Sequence, residues 1–300
     1  MVQYSRVKQT IGMAGMSGRS ASEAAERIQR MMFLKLKAIR WRFAPRKTQP
    51  RTVFVSGVHR SGTNMLMEVL EASYEADIYH ESDPRAFEGY NMRGPEVIRS
   101  LIDRSRAPVV VVKGLHEAQR MNRMMEDFAP AKCLWMIRRF EDAVNSMVTH
   151  WPGLHNFIHR IVVDRNAGGW RGLGMTDETH RIVRMHYRRD MNFVSANALF
   201  WYYRNQLFFD QHMDRDPRVL PIQYEELVTS PEAVVARIAD FVGIRSTKRM
   251  WRIPHSGSMG KSAAPDIAPD IRDLCESMQK RLGDAARRKL DGRVEIAAVA

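Results

Sequence analysis

The chain has 300 residues, 44% of them apolar, enough to bury one substantial core and consistent with a single domain plus appendages. Its two cysteines exclude a disulfide framework and suit a reducing compartment, and no run approaches the roughly 20 apolar residues that span a bilayer. A net charge of +13 would suggest nucleic acid, but residues 1–51 hold twelve Lys and Arg against only Glu23 and Glu26, so the rest of the chain carries about +3 and no nucleic-acid partner is expected.

Residues 1–20 read as a basic tail without the apolar core of a secretory leader, so the expected location is cytoplasmic. Ser20-Ala-Ser-Glu23 has capping-box spacing and would start a helix there. Ile28, Met32, Leu36, Ile39 and Phe43 then recur at helical spacing, with Arg27, Arg30, Lys35, Lys37, Arg40 and Arg42 between them, until Pro45 and Pro50 end the pattern. Two readings stay open for residues 20–43. The helix packs its apolar stripe on the domain, or it lies peripherally on an anionic membrane surface.

The remaining residues, 51–300, alternate between strand and helix patterns. Thr52-Val-Phe-Val-Ser-Gly57 is a short apolar strand followed by a loop and an apolar helix from about Asn64. Val109-Val-Val-Val-Lys113 is apolar on both faces, as a central parallel strand should be. Cys133-Leu-Trp-Met-Ile137 precedes a helix over 140–150. Residues 152–190, with Gly168, Gly169, Gly172 and Gly174 among many Arg and His, show no clean period and read as an inserted segment or lid. An aromatic-rich helix over 193–212 is expected to be core, with the lining of an acceptor cleft as its other reading. Val219-Leu-Pro-Ile-Gln-Tyr224 is followed by a helix over 231–242 that stops at Gly243, and a last helix covers about 270–290. The expected class is α/β, a P-loop-like three-layer fold with a central parallel sheet flanked by helices.

The loop after the first strand, Gly57-Val-His59-Arg60-Ser61-Gly62-Thr63-Asn64, has the spacing of a P-loop and the strand–loop–helix context that presents backbone N–H groups to an anion. It lacks the Lys-Ser/Thr pair of nucleoside triphosphatases, and Arg60 supplies a cation inside the loop instead. The strand ending at Ile137 runs into Arg138-Arg139, where such an enzyme would carry a magnesium-binding Asp. Both features favour an anionic ligand held without a metal over the rival reading of a P-loop kinase or other NTPase.

These two blocks resemble the sulfotransferases that use PAPS (3′-phosphoadenosine 5′-phosphosulfate). The first is similar to the family's Pro-Arg-Ser-Gly-Thr-Thr loop, with His59 in place of the proline and Asn64 in place of the second threonine. The second, an apolar strand, an Arg and a Ser eight residues on, is matched by Arg138 and Ser146, which the resemblance assigns to the 3′-phosphate. Tyr224 would lie near the adenosine, and Ser258 and Lys261 on a late loop that closes over the donor. The resemblance implies transfer of a sulfuryl group from PAPS to an acceptor hydroxyl with release of PAP (adenosine 3′,5′-bisphosphate) and no metal. Arg60 and Lys113 would supply cations to the reacting group. Glu81, 21 residues after Arg60, would take the acceptor proton, with His116 as the alternative base and His80 behind both. Whether the acceptor is a glycan, a lipid or a peptide tyrosine is left open.

Overall fold

In the computed structural model, residues 16–43 and 50–290 are described, apart from 152, 154, 256, 258, 259, 261 and 262; Ser258 and Lys261 thus lie outside the described residues. The chain divides into two compact units, residues 1–46 and 47–300. The described residues of the first form one helix, α1 (Met16–Phe43). It begins four residues before Ser20, so the Ser20–Glu23 spacing falls inside the helix and does not start it. Among the described residues of this unit no second element accompanies α1; Ile28, Met32, Leu36, Ile39 and Phe43 are exposed, and Lys37 lies over the Phe33 and Trp41 rings at 5.8 and 5.2 Å. None of the described helices is long and apolar enough to cross a membrane.

The second unit runs β1 (Arg51–Gly57), α2 (Thr63–Glu71), β2 (Ala76–Tyr79), β3 (Phe87–Glu88), β4 (Asn91–Met92), α3 (Pro95–Arg104), β5 (Val109–Lys113), α4 (Met121–Asp127), β6 (Ala131–Ile137) and α5 (Phe140–His150). It continues with α6 (His155–Val163), α7 (Asp177–His186), α8 (Phe193–Asp210), β7 (Val219–Gln223), α9 (Tyr224–Thr229), α10 (Pro231–Val242), α11 (Lys248–Trp251) and α12 (Pro269–Leu290). Five strands form one sheet in the order β2-β5-β1-β6-β7, every pair parallel, and β3 and β4 make a separate two-residue hairpin.

Alternation along the strands builds the three layers. Phe54, Val110, Val112, Cys133, Trp135 and Ile137 face a core closed by α3, α4, α5, α8 and α12. Their neighbours Val53, Val55, Val109, Val111, Leu134 and Met136 face a second core closed by α2, α9 and α10. Both cysteines are buried and free. The helix α8 sits in the middle of the first core, with Phe200, Trp201, Tyr203 and Phe208 fully buried, so the core reading of the aromatic helix holds. Its start is fixed by Asn192, whose side chain accepts from the Ser195 N–H at 2.7 Å. The stop of α10 is Gly243, left-handed at φ 77°.

The segment 152–190 differs from its expected irregularity. It carries α6 and α7, anchored by Ile158, Ile161 and Val183, and Thr176 caps α7 by accepting from the Thr179 N–H at 3.1 Å. Each helix is only nine or ten residues long and buries few positions, so neither repeats its apolar face often enough to show a period.

A parallel sheet puts all strand ends on one edge. Gly57, Tyr79, Lys113, Ile137 and Gln223 therefore finish together, and β5 and β6 leave β1 on opposite sides. A crevice opens at such a point, above the loop that follows β1.

Candidate active site

The β1–α2 loop is shaped by what its neighbours leave room for. Gly57 is at φ 142°, and a Cβ there would sit 2.5 Å from the Met136 carbonyl oxygen. Gly62 is left-handed at φ 95°, and its missing side chain leaves the space that the Tyr224 ring fills. Arg60 adopts φ 67° between them, and the Ser61 hydroxyl donates to the Val58 carbonyl at 2.5 Å. The loop then enters α2 at Thr63, which turns the first amides of the helix toward the crevice.

The second cationic block meets this loop across 86 residues of sequence. Arg60 Nε donates to Ser146 Oγ at 2.9 Å, and Arg138 donates to the Arg60 carbonyl at 3.1 Å while lying over the Tyr224 ring at 4.4 Å. Arg138 is buried, and burial followed by the Arg138 charge lowers the basicity of Arg60. Two guanidinium groups held this close call for an anion between or beside them.

At the end of β5, Lys113 Nζ donates to Glu81 Oε2 at 2.5 Å and to Asn64 Oδ1 at 2.7 Å. Asn64, which departs from the familiar loop pattern, therefore helps to aim the lysine. Glu81 Oε1 is buried with no hydrogen-bond partner among the described residues. The carboxylate is thus anchored through one oxygen, and Glu81 lines the cleft.

His116 Nδ1 lies 3.3 Å from Asn91 Oδ1. Its ring and that of His59 stack on Trp170 at 4.3 and 4.5 Å, and His59 also lies 4.6 Å from Trp151. Burial, with Arg171, Arg204 and Lys113 adding to it, pulls His116 down to about 4. Burial takes His59 well below its ordinary value, with Arg204 as the next cause. Both rings are neutral at pH 7.

A cleft of about 680 Å³ joins these groups. His59, Arg60, Gly62, Thr63, Asn64, Glu81, Lys113, His116, Arg138 and Tyr224 line it; Ser61 and Ser146 stand behind, shaping the loop and holding Arg60. His80 is outside, 3.5 Å from Glu71, and none of the aromatic residues of α8 reaches the cleft. The sequence reading missed Asn91, Trp151, Trp170 and Arg171, which line the other end. Trp170 and Arg171 had a signal in the Gly168-Gly-Trp-Arg-Gly172 run, where glycines flank two large side chains; Asn91 and Trp151 had none. Among the described residues, no group of three His, Cys, Asp or Glu is placed to hold a metal.

The sequence matches the sulfotransferase domain family over residues 50–259. Among solved structures, the chain is similar to a sulfotransferase from Alicyclobacillus acidocaldarius, at 18% identity over 80% of this chain and 95% of that one, with a TM-score of 0.44. It is also similar to a mouse sulfotransferase complexed with PAP, at 14% identity over 82% and 89%, TM-score 0.45. A Mycobacterium avium sulfotransferase is 14% identical over 89% and 82%, TM-score 0.39. No curated protein sequence matches the chain.

Proposed function

Because this chain belongs to the sulfotransferase family, we propose that it transfers a sulfuryl group from PAPS to an acceptor hydroxyl and releases PAP. The observation that carries the reading is the meeting of the Arg60 loop with Arg138 and Ser146 at one end of a cleft whose middle holds Lys113 and Glu81. The separation of roles follows from position. Arg138, buried beside Tyr224, suits the 3′-phosphate; the loop amides, the start of α2 and Arg60 suit the 5′-phosphosulfate.

In the transfer, the acceptor oxygen forms a bond to sulfur as the bond from sulfur to the phosphate oxygen breaks, and the acceptor proton goes to Glu81. Lys113, fixed between Glu81 and Asn64, offsets charge on the reacting oxygens without having to reorganise. Glu81 is favoured as base over His116 because it lines the cleft in contact with Lys113 and has one oxygen without a hydrogen-bond partner, whereas His116 is turned toward Asn91. The kinase alternative is not supported by Thr63-Asn64 in the loop or by Arg138 at the end of β6.

An assay with labelled PAPS against a panel of peptides, glycans and lipid extracts tests the reading. Label should appear in an acceptor fraction with stoichiometric PAP. Hydrolysis of ATP with no consumption of PAPS under any acceptor would refute it.

A further inference from the structure

The cleft continues past Glu81 into a region that the donor residues do not use. Here Arg171, from the turn Gly169–Arg171, enters the lining beside Trp151 and His116. Its guanidinium is clamped over the Phe157 ring at 3.9 Å and the Trp170 ring at 4.5 Å. Its Nε is buried with no hydrogen-bond partner, and no carboxylate pairs with Arg171 among the described residues.

Among the described residues no acid neutralises it. Behind it, Arg204 is fully buried and donates to the Trp170 carbonyl at 2.8 Å and to Gln119 at 3.4 Å, both uncharged acceptors. Of the two acids in this region, Glu81 is taken by Lys113, while burial raises Glu117, which accepts from the Met92 N–H at 3.1 Å. Arg171 is half-buried, and a partly desolvated cation without a counter-charge suits a ligand that supplies one. Arg171 is moreover already fixed by its two rings, so it loses little freedom on binding.

We propose, resting on the sulfuryl-transfer reading of this cleft, that Arg171 forms a subsite for an anionic group of the acceptor: a hydroxyl compound bearing a carboxylate, or a phosphate or sulfate ester. The arrangement separates the charges by task. Arg60 and Arg138 serve the donor, Lys113 the reacting centre, and Arg171 the acceptor. An acceptor held this way shares the cleft with Glu81 and Lys113.

The test uses the full chain saturated with PAP and two pairs of probes that differ chiefly in charge: para-hydroxyphenylacetate with its amide, and methyl glucuronide with methyl glucuronamide. Thermal shift titrations should show at least one acid stabilising the PAP-loaded wild type at roughly tenfold lower concentration than its neutral partner. Arg171→Gln should abolish that preference while binding PAP like the wild type, and Arg171→Lys should retain part of it. The proposal is overturned by a wild type that prefers neither acid, by a preference that survives in Arg171→Gln, or by an equal loss of PAP affinity, which would place Arg171 on the donor. The wild-type comparison decides the matter even where a variant fails to fold. A wild type that PAP does not stabilise would sink the donor reading instead.

Discussion

Glu81→Gln should lower kcat by roughly 10²–10⁴ and leave the affinity for PAP nearly unchanged. The substitution keeps an oxygen that accepts from Lys113, so the lysine stays in its place between positions 81 and 64. What is lost is a group able to take the acceptor proton in the transition state. Because that interaction exists only while the acceptor attacks, kcat and kcat/KM should fall together. Replacing a buried ion pair by a neutral one also loosens the fold, so melting temperatures of the variant and wild type should be compared with and without PAP. The decisive control is His116→Ala. If Glu81→Gln turned over normally while His116→Ala did not, the proton acceptor would be the histidine, and the free oxygen of Glu81 would have another purpose.

Arg138→Ala should weaken PAP binding by about 1.5–3 kcal/mol, on the order of 10- to 150-fold, because it removes a charge-assisted contact from a buried position. The loss should be specific to one end of the nucleotide. AMP, which lacks the 3′-phosphate, should bind the variant about as well as it binds the wild type. Arg138 also donates to the Arg60 carbonyl and covers the Tyr224 ring, so a general collapse of the loop is the competing explanation. Collapse would weaken AMP and PAP alike. Arg138→Lys separates the two further: it keeps the charge and gives up the fork, so it should recover part of the PAP affinity but not all of it.

Much of the Arg60–Arg138 end of the cleft was legible in the sequence because its residues are contiguous. The loop from Gly57 to Asn64 carries its own turn residues, its own cation and its own helix start, and Arg138 follows directly from an apolar strand. The three internal strands β1, β5 and β6 were readable for the same reason, since residues such as Val109–Val112 are covered on both faces and cannot be mistaken for surface, and the edge strand β7 is itself apolar and buried over Val219–Ile222. The edge strand Ala76–Tyr79 was not, because four residues with an Asp among them carry no strong signal. The start of α1 was misplaced because a capping pattern inside a helix looks the same on paper as one at its end.

The wall around Trp170 and Arg171 was not legible, and the reason is spatial. Asn91 comes from a two-residue hairpin, Trp151 from the end of α5, and Trp170 and Arg171 from a turn between two short helices. No local spacing links them; only the fold brings them to one wall with His59 and His116. The base assignment shows the same boundary. Spacing brought forward Glu81 and His116 as candidates, but the contact of Lys113 with Glu81, and the free second oxygen, belong to tertiary structure.

The central claim is that this cleft is built for PAP and not for a magnesium-bound nucleoside diphosphate. A thermal-shift comparison of PAP alone against ADP with Mg²⁺ tests it most directly. The account predicts a saturable rise in melting temperature with PAP, largely lost in Arg138→Ala, and little or no shift with ADP and Mg²⁺. Stabilisation by ADP and Mg²⁺ with none from PAP would contradict it.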